Sequence, residues 1–98
     1  MKVIFLKLAE KELDDAFEYY ESTQSGLGFR FLAEVELSQS RITSFPLSYE
    51  EIGNYSRRCL VQKFPYGLIY KYIESVDEIL IVAVAHLHRK PDYWVDIE

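Results

Sequence analysis

Two stretches of the C-terminal half hold the side chains best suited to chemistry: RRCLVQKFPYGLIY, starting at Arg57, and AHLHRKPDYW, ending at Trp94. They bring Arg57, Arg58, Lys63, His86, His88, Arg89, Lys90, Tyr93 and Trp94 to the ends of β-rich runs. A guanidinium pairs bidentately with a phosphate or a carboxylate, and an imidazole changes charge near neutral pH. Metal-free cleavage of RNA through its own 2′-hydroxyl needs a base on that hydroxyl, cations on the non-bridging oxygens and an acid for the leaving oxygen. His86 has the chemistry of the acid or base, and Arg57, Arg58 and Arg89 that of phosphate clamps. Lys63 adds a cation, and Tyr93 a proton donor or a stacking surface. The same side chains also serve a purpose without catalysis. Arg57, Arg58, His88, Arg89, Lys90, Tyr93 and Trp94 make a mixed basic and aromatic patch of the kind that docks on a protein.

Each candidate has a structural reading beside the functional one. His86 ends an apolar strand, where an imidazole commonly bonds a backbone carbonyl. Arg57 and Arg58 can pair with acidic neighbours, and Tyr93-Trp94 can cap a core or meet a partner. If Pro65-Tyr66 is a two-residue turn, period-two alternation puts Arg57 and Lys63 on one sheet face and Arg58 on the other. One arginine then serves structure. His86-x-His88 lacks a third ligand at metal spacing, with Asp92 the nearest addition, so no metal is expected. No glycine-rich phosphate loop, serine nucleophile signature or paired CxxC occurs, and no cofactor is expected.

Charge distribution narrows the partners. The net charge is −5. Residues 1–54 carry five Lys/Arg against ten Asp/Glu, whereas residues 55–98 carry six of each. Phosphate binding depends on counterion release by Lys and Arg, so an acidic chain makes only local contact with nucleic acid. The lone Cys59 excludes an internal disulfide, fits a reducing compartment and reads as a small buried hydrophobe. No run approaches the ~18 apolar residues of a membrane span. Met1-Lys2 leads into VIFL with no signal-type cleavage site, so a soluble, cytoplasmic protein is expected.

The elements that position these residues follow from periodicity. VIFLKL, residues 3–8, reads as a strand. Ala9, Leu13, Ala16, Phe17 and Tyr20 recur at helical spacing, with Glu10, Lys11, Glu12, Asp14, Asp15 and Glu18 on the other face, giving a helix over 9–21. Ser25-Gly26 stops it. A second helix over 28–44 buries Phe31, Leu32, Val35 and Ile42, and Pro46 ends it. The short link makes the pair an antiparallel hairpin. Residues 47–56 read as a loop with a Gly53-Asn54 turn signal. Strands over 57–64 and 68–73 flank Pro65-Tyr66, and 78–87, apolar on both faces, reads as a central strand. The class is α+β, ordered β-α-α-β-β-β, with the N-terminal strand and helical hairpin packed on a mainly antiparallel sheet.

The YYE and GLGFRFL segments between Tyr19 and Leu32, the Arg57-Arg58 pair, KFPYGLIY and AHLHRKPDYW follow in an order that resembles the RelE/ParE superfamily of toxins from bacterial type II toxin–antitoxin modules. The FPY hairpin and the HxxRxPxYW ending look closest to its ParE-like, plasmid-stabilisation branch. The resemblance implies one toxin domain over residues 1–98, neutralised by a cognate antitoxin. It implies binding of a protein target such as DNA gyrase, with ribosome-dependent cleavage of messenger RNA, or a non-toxic domesticated member, as alternatives. The acidic total favours the protein target, because the helical half would repel a ribosome. The antitoxin is expected to bury apolar surface on the helical hairpin or along a sheet edge.

Overall fold

The computed structural model describes residues 1–89 and 93–95. The elements, in chain order, are β1 (Lys2–Phe5), α1 (Lys7–Thr23), α2 (Leu27–Ser44), β2 (Glu50–Gly53), β3 (Ser56–Leu60), β4 (Tyr66–Ile73), a 3-10 turn (Glu74–Val76) and β5 (Glu78–His86). They build one sheet in the order β1-β5-β4-β3-β2. β1 runs parallel to β5, and the other pairings are antiparallel. The α+β class and the mainly antiparallel sheet agree with the sequence reading.

β5 lies second from one edge with neighbours on both sides, and its interior is buried on both faces. Ile79, Ile81 and Val84 join Leu68, Tyr70, Cys59, Phe31, Val35 and Ile42 in the core beneath the helices. On the opposite face Ile69, Val82, Ala83 and Ala85 pack with Trp94. A register shift opposite Ile69 and Tyr70 explains why Val82 and Ala83 both join that second cluster: Ile69 pairs with Ala83 but Tyr70 with Ile81, leaving Val82 extra. An extra residue reverses the alternation beyond it. Val84 and His86 therefore fall on the helix side, where unbroken alternation from Ile79 would have put Ala83 and Ala85.

The helical hairpin closes through two small devices. Gly26 takes the left-handed backbone, with φ of 89°. The Glu21 carboxylate then accepts the N–H groups of Gly26 and Gly28, each at 3.0 Å, satisfying donors that the start of α2 leaves open. Gly28 marks a close approach of the two helices. A Cβ there would lie 2.7 Å from the Phe17 carbonyl oxygen, so no other residue fits without moving backbone.

Three boundaries differ from the sequence reading. Residues 47–56 are not all loop, because Glu50–Gly53 forms β2 and adds a fifth strand. EEIG has little strand propensity of its own; cross-strand pairs of Glu50 with Arg58 and Glu51 with Arg57 hold it. β1 is shorter than residues 3–8, since the chain enters α1 at Lys7 after the Leu6 N–H bonds the Ile81 carbonyl. Pro65-Tyr66 is not a two-residue turn. Tyr66 begins β4, and residues 61–65 form a longer connection in which Lys63 has a left-handed φ of 71°.

Candidate functional site

Position 12 of the chain is the hub of the site, although its sequence context suggested a solvent face. Glu12 projects from α1 towards the end of β5, and its side chain is 12% exposed. β1 stops opposite Ile81, and beyond that end the Val84 N–H donates to the Glu12 carboxylate at 2.9 Å. The Tyr93 hydroxyl donates to the other carboxylate oxygen, and the Arg89 guanidinium lies 3.5 Å from it. That guanidinium also stacks over the Tyr93 ring, 3.8 Å from its centroid. Burial raises the Glu12 carboxyl above its ordinary value, and its three donors only partly oppose the shift. Tyr93 is pushed up as well, first by burial and then by the hydrogen bond its hydroxyl donates to the Glu12 carboxylate.

A second group faces it across the sheet surface away from the helices. Arg58 crosses from β3 over Gly67 of β4, where a Cβ would come within 3.0 Å of its Cγ. The missing side chain gives the arginine its path. Arg58 pairs with Glu50 at 3.1 Å and, with Arg89, His86, Tyr93 and Trp94, lines a recess of about 340 Å³. His86 also lines a smaller depression of about 180 Å³ beside Glu12, Asp15 and Tyr66, so it stands at the boundary of the two. Its ring meets Tyr66 edge-on at 5.1 Å, and its Nδ1 accepts the His88 N–H at 3.1 Å.

The family model described as "ParE toxin of type II toxin-antitoxin system, parDE" matches residues 3–91. The chain belongs to the ParE toxin family. A structure titled "Chromosomal ParDE TA system from P. aeruginosa" superposes with a TM-score of 0.73 at 12% identity, covering 90% of this chain and 97% of that one. The isolated E. coli RelE toxin superposes with a TM-score of 0.63 at 14% identity, covering 98% and 94%. At such identities the two likenesses show a shared fold. No curated protein matches the sequence.

In this ParE-family chain the cations named from sequence do not form one cluster. Arg58, Arg89, His86 and Tyr93 share the recess. Arg57 is on the other face of β3; its guanidinium donates to the carbonyls of Leu47 and Tyr49 and pairs with Glu51 at 3.0 Å. Those bonds fasten the chain ahead of β2 to the sheet. Lys63 sits in the β3–β4 connection and pairs with Glu34 of α2 at 3.5 Å, so alternation does not place it beside Arg57. His88 is exposed, its ring 5.3 Å from that of His86. Trp94 is only 6% exposed and packs into the second core cluster. Lys90 and Asp92 lie outside the described residues. Among the described residues no group of three His, Cys, Asp or Glu side chains is placed to hold a metal.

Glu12, Glu50 and Gly67 were missed as site residues. For Glu12 a signal existed: it lies three residues after Ala9 and four before Ala16, both buried, and so falls within the buried stripe. Glu50 and Gly67 carry no comparable pattern, because their roles depend on strand register.

Proposed function

We infer that the protein is the toxin of a type II toxin–antitoxin module and acts by binding a protein target, of which DNA gyrase is the leading candidate. A cognate antitoxin would hold it inactive in the cytoplasm. One observation carries the choice of binding over catalysis. Arg57, Arg58, Lys63 and Arg89 each stand 3.0–3.5 Å from a carboxylate of the chain itself. A ribonuclease needs cations free to meet a developing phosphorane, aimed at one point. Here only two of the four share a recess, Glu50 lines it with them, and Glu12 pairs with Arg89 from the smaller depression beside it. Such a surface, with its tyrosine and apolar lining, matches the mixed character of a protein-docking patch.

The ribonuclease reading draws on the same recess, since Arg58, Arg89, His86 and Tyr93 all line it. Two assays on purified protein separate the readings: inhibition of gyrase supercoiling, and ribosome-dependent cleavage of messenger RNA. Inhibition without cleavage is expected. Cleavage that disappears in His86→Ala and Arg89→Ala would overturn the proposal, and silence in both assays without a growth defect would indicate a non-toxic member. Among the described residues no helix is long and apolar enough to cross a membrane.

A further inference from the structure

The tip of the β2–β3 hairpin holds a residue that its own backbone disfavours. Gly53 and Ser56 pair across the two strands, which leaves Asn54 and Tyr55 as a two-residue turn. Both have positive φ, 52° and 58°, as a type I′ turn requires, and the second position of that turn is ordinarily glycine. A bulky side chain there is a strained outlier. Among the described residues three others besides glycine have positive φ. Asn54 and Asp77 are of the short polar kind that tolerates it, and Lys63 meets Glu34 of α2 at 3.5 Å. Tyr55 has no such reason. Its side chain is 95% exposed, so folding gains almost nothing from the ring.

Strain that stability does not explain points to use by something outside the chain. Resting on the protein-target reading above, we propose that Tyr55 is an anchor by which the toxin grips its protein target. The ring enters an apolar slot on the partner, and the hydroxyl finds a hydrogen bond at the end of that slot. The hairpin is stiffened below its tip by the pairs of Glu50 with Arg58 and Glu51 with Arg57, so little freedom remains to be lost on binding. Tyrosine is enriched among the residues that dominate protein interfaces. The same hairpin supplies Glu50, Ile52 and Arg58 to the recess, so its tip borders the docking surface already described. Charge turns nucleic acid away from it. Residues 50–56 contain two glutamates and no lysine or arginine, and Arg57 and Arg58 behind them are engaged by those glutamates. Single-strand sites that stack bases combine their aromatic rings with cations along the backbone, and this tip offers carboxylates instead.

Three variants of the intact chain separate the ring from the fold. Tyr55→Asn and Tyr55→Gly relieve the backbone and remove the ring, whereas Tyr55→Phe keeps the ring. Tyr55→Asn should melt a few degrees above the parent, with Tyr55→Gly at least equal to it. Inhibition of gyrase supercoiling should nonetheless weaken about thirtyfold in both, as loss of an interface hot spot implies. Tyr55→Phe should weaken only about threefold, the effect of one neutral hydrogen bond. A Tyr55→Asn chain that melts below the parent would overturn the proposal, because the strain would be absent. Ribosome-dependent cleavage of messenger RNA that disappears in Tyr55→Asn would also overturn it, placing the ring on RNA. Growth on expression separates this inference from the reading beneath it. Inhibition that persists unchanged in Tyr55→Asn removes the inference and leaves gyrase as the target. If the parent arrests growth without inhibiting gyrase, relief of the arrest by Tyr55→Asn supports the anchor and removes gyrase, and an arrest that persists removes both. A parent silent in both assays removes both as well.

Discussion

The Glu12 carboxylate accepts the Val84 backbone N–H at 2.9 Å, joining the first helix to the last strand across 72 residues of sequence. The same carboxylate takes the Tyr93 hydroxyl and faces Arg89. One half-buried acid thus ties α1, the end of β5 and the segment after it into a unit. The recess is shaped by what that unit holds in place.

Replacing Glu12 with alanine strands the Val84 N–H and the Tyr93 hydroxyl together. Unsatisfied buried groups cost about 1–3 kcal/mol each, so the expected loss in a urea unfolding curve is about 2–6 kcal/mol. Glu12→Gln keeps one carbonyl acceptor and should lose roughly half as much. Equal stability of Glu12→Ala and the parent would show that the tie contributes nothing.

The pH dependence has a definite sign. Burial raises the Glu12 carboxyl in the folded chain above its ordinary 4.5, so the folded state holds this proton more tightly than the unfolded state does. Stability contributed by Glu12 is therefore full below the ordinary carboxylate pKa and is lost as pH rises through the higher folded value. Measured against Glu12→Gln over the weakly acidic range, the parent should lose stability with rising pH faster than the variant. A difference of opposite slope would mean that the donors around Glu12 outweigh its desolvation.

Gly28→Ala tests the helical hairpin. The added Cβ would sit 2.7 Å from a backbone oxygen and 2.9 Å from Phe17 Cδ1, and backbone cannot swing aside as a side-chain tip can. A loss of about 1–3 kcal/mol is expected, as for other overpacked cores. Thermal denaturation reads it directly.

Gly67→Ala behaves differently, because its nearest neighbours are Cγ and Cδ of a flexible arginine, at 3.0 and 3.2 Å. The variant should fold with little change in stability while Arg58 leaves its path over β4. On the proposed reading of a gyrase-binding toxin, supercoiling inhibition should fall to the level of Arg58→Ala. Full activity in Gly67→Ala would show that the course of Arg58 is immaterial.

Tyr70 extends the pattern to alkaline pH. Its hydroxyl donates to the Pro46 carbonyl at 2.7 Å, and burial lifts its pKa to about 12. The folded state holds this proton too, so its contribution is lost as pH climbs through the ordinary tyrosine range towards that value. Tyr70→Phe should flatten the alkaline limb of the stability curve and cost about 1 kcal/mol at neutral pH.

Much of the fold was legible because it is written in local repetition. Helical spacing from Ala9 to Tyr20 and the apolar run ILIVAVA identify α1 and β5 whatever surrounds them. The opposite faces of Arg57 and Arg58 follow from adjacency within one strand. β2 was not legible, since EEIG is strand only because Arg57 and Arg58 lie opposite its two glutamates. Lys63 was misplaced for a related reason: a five-residue connection, with a left-handed lysine, ended the alternation that would have carried it to the side of Arg57.

By itself, the sequence determined the class of the fold, the order of its main elements and the family motifs, all of which depend on neighbours a few residues apart. Tertiary structure alone decided which cations meet. The extra residue Val82 sets the side on which His86 emerges, Gly67 opens the way for Arg58, and Glu12 holds Arg89 and Tyr93 from a helix far away in the chain. Register and close approach are properties of paired surfaces, and no single segment encodes them.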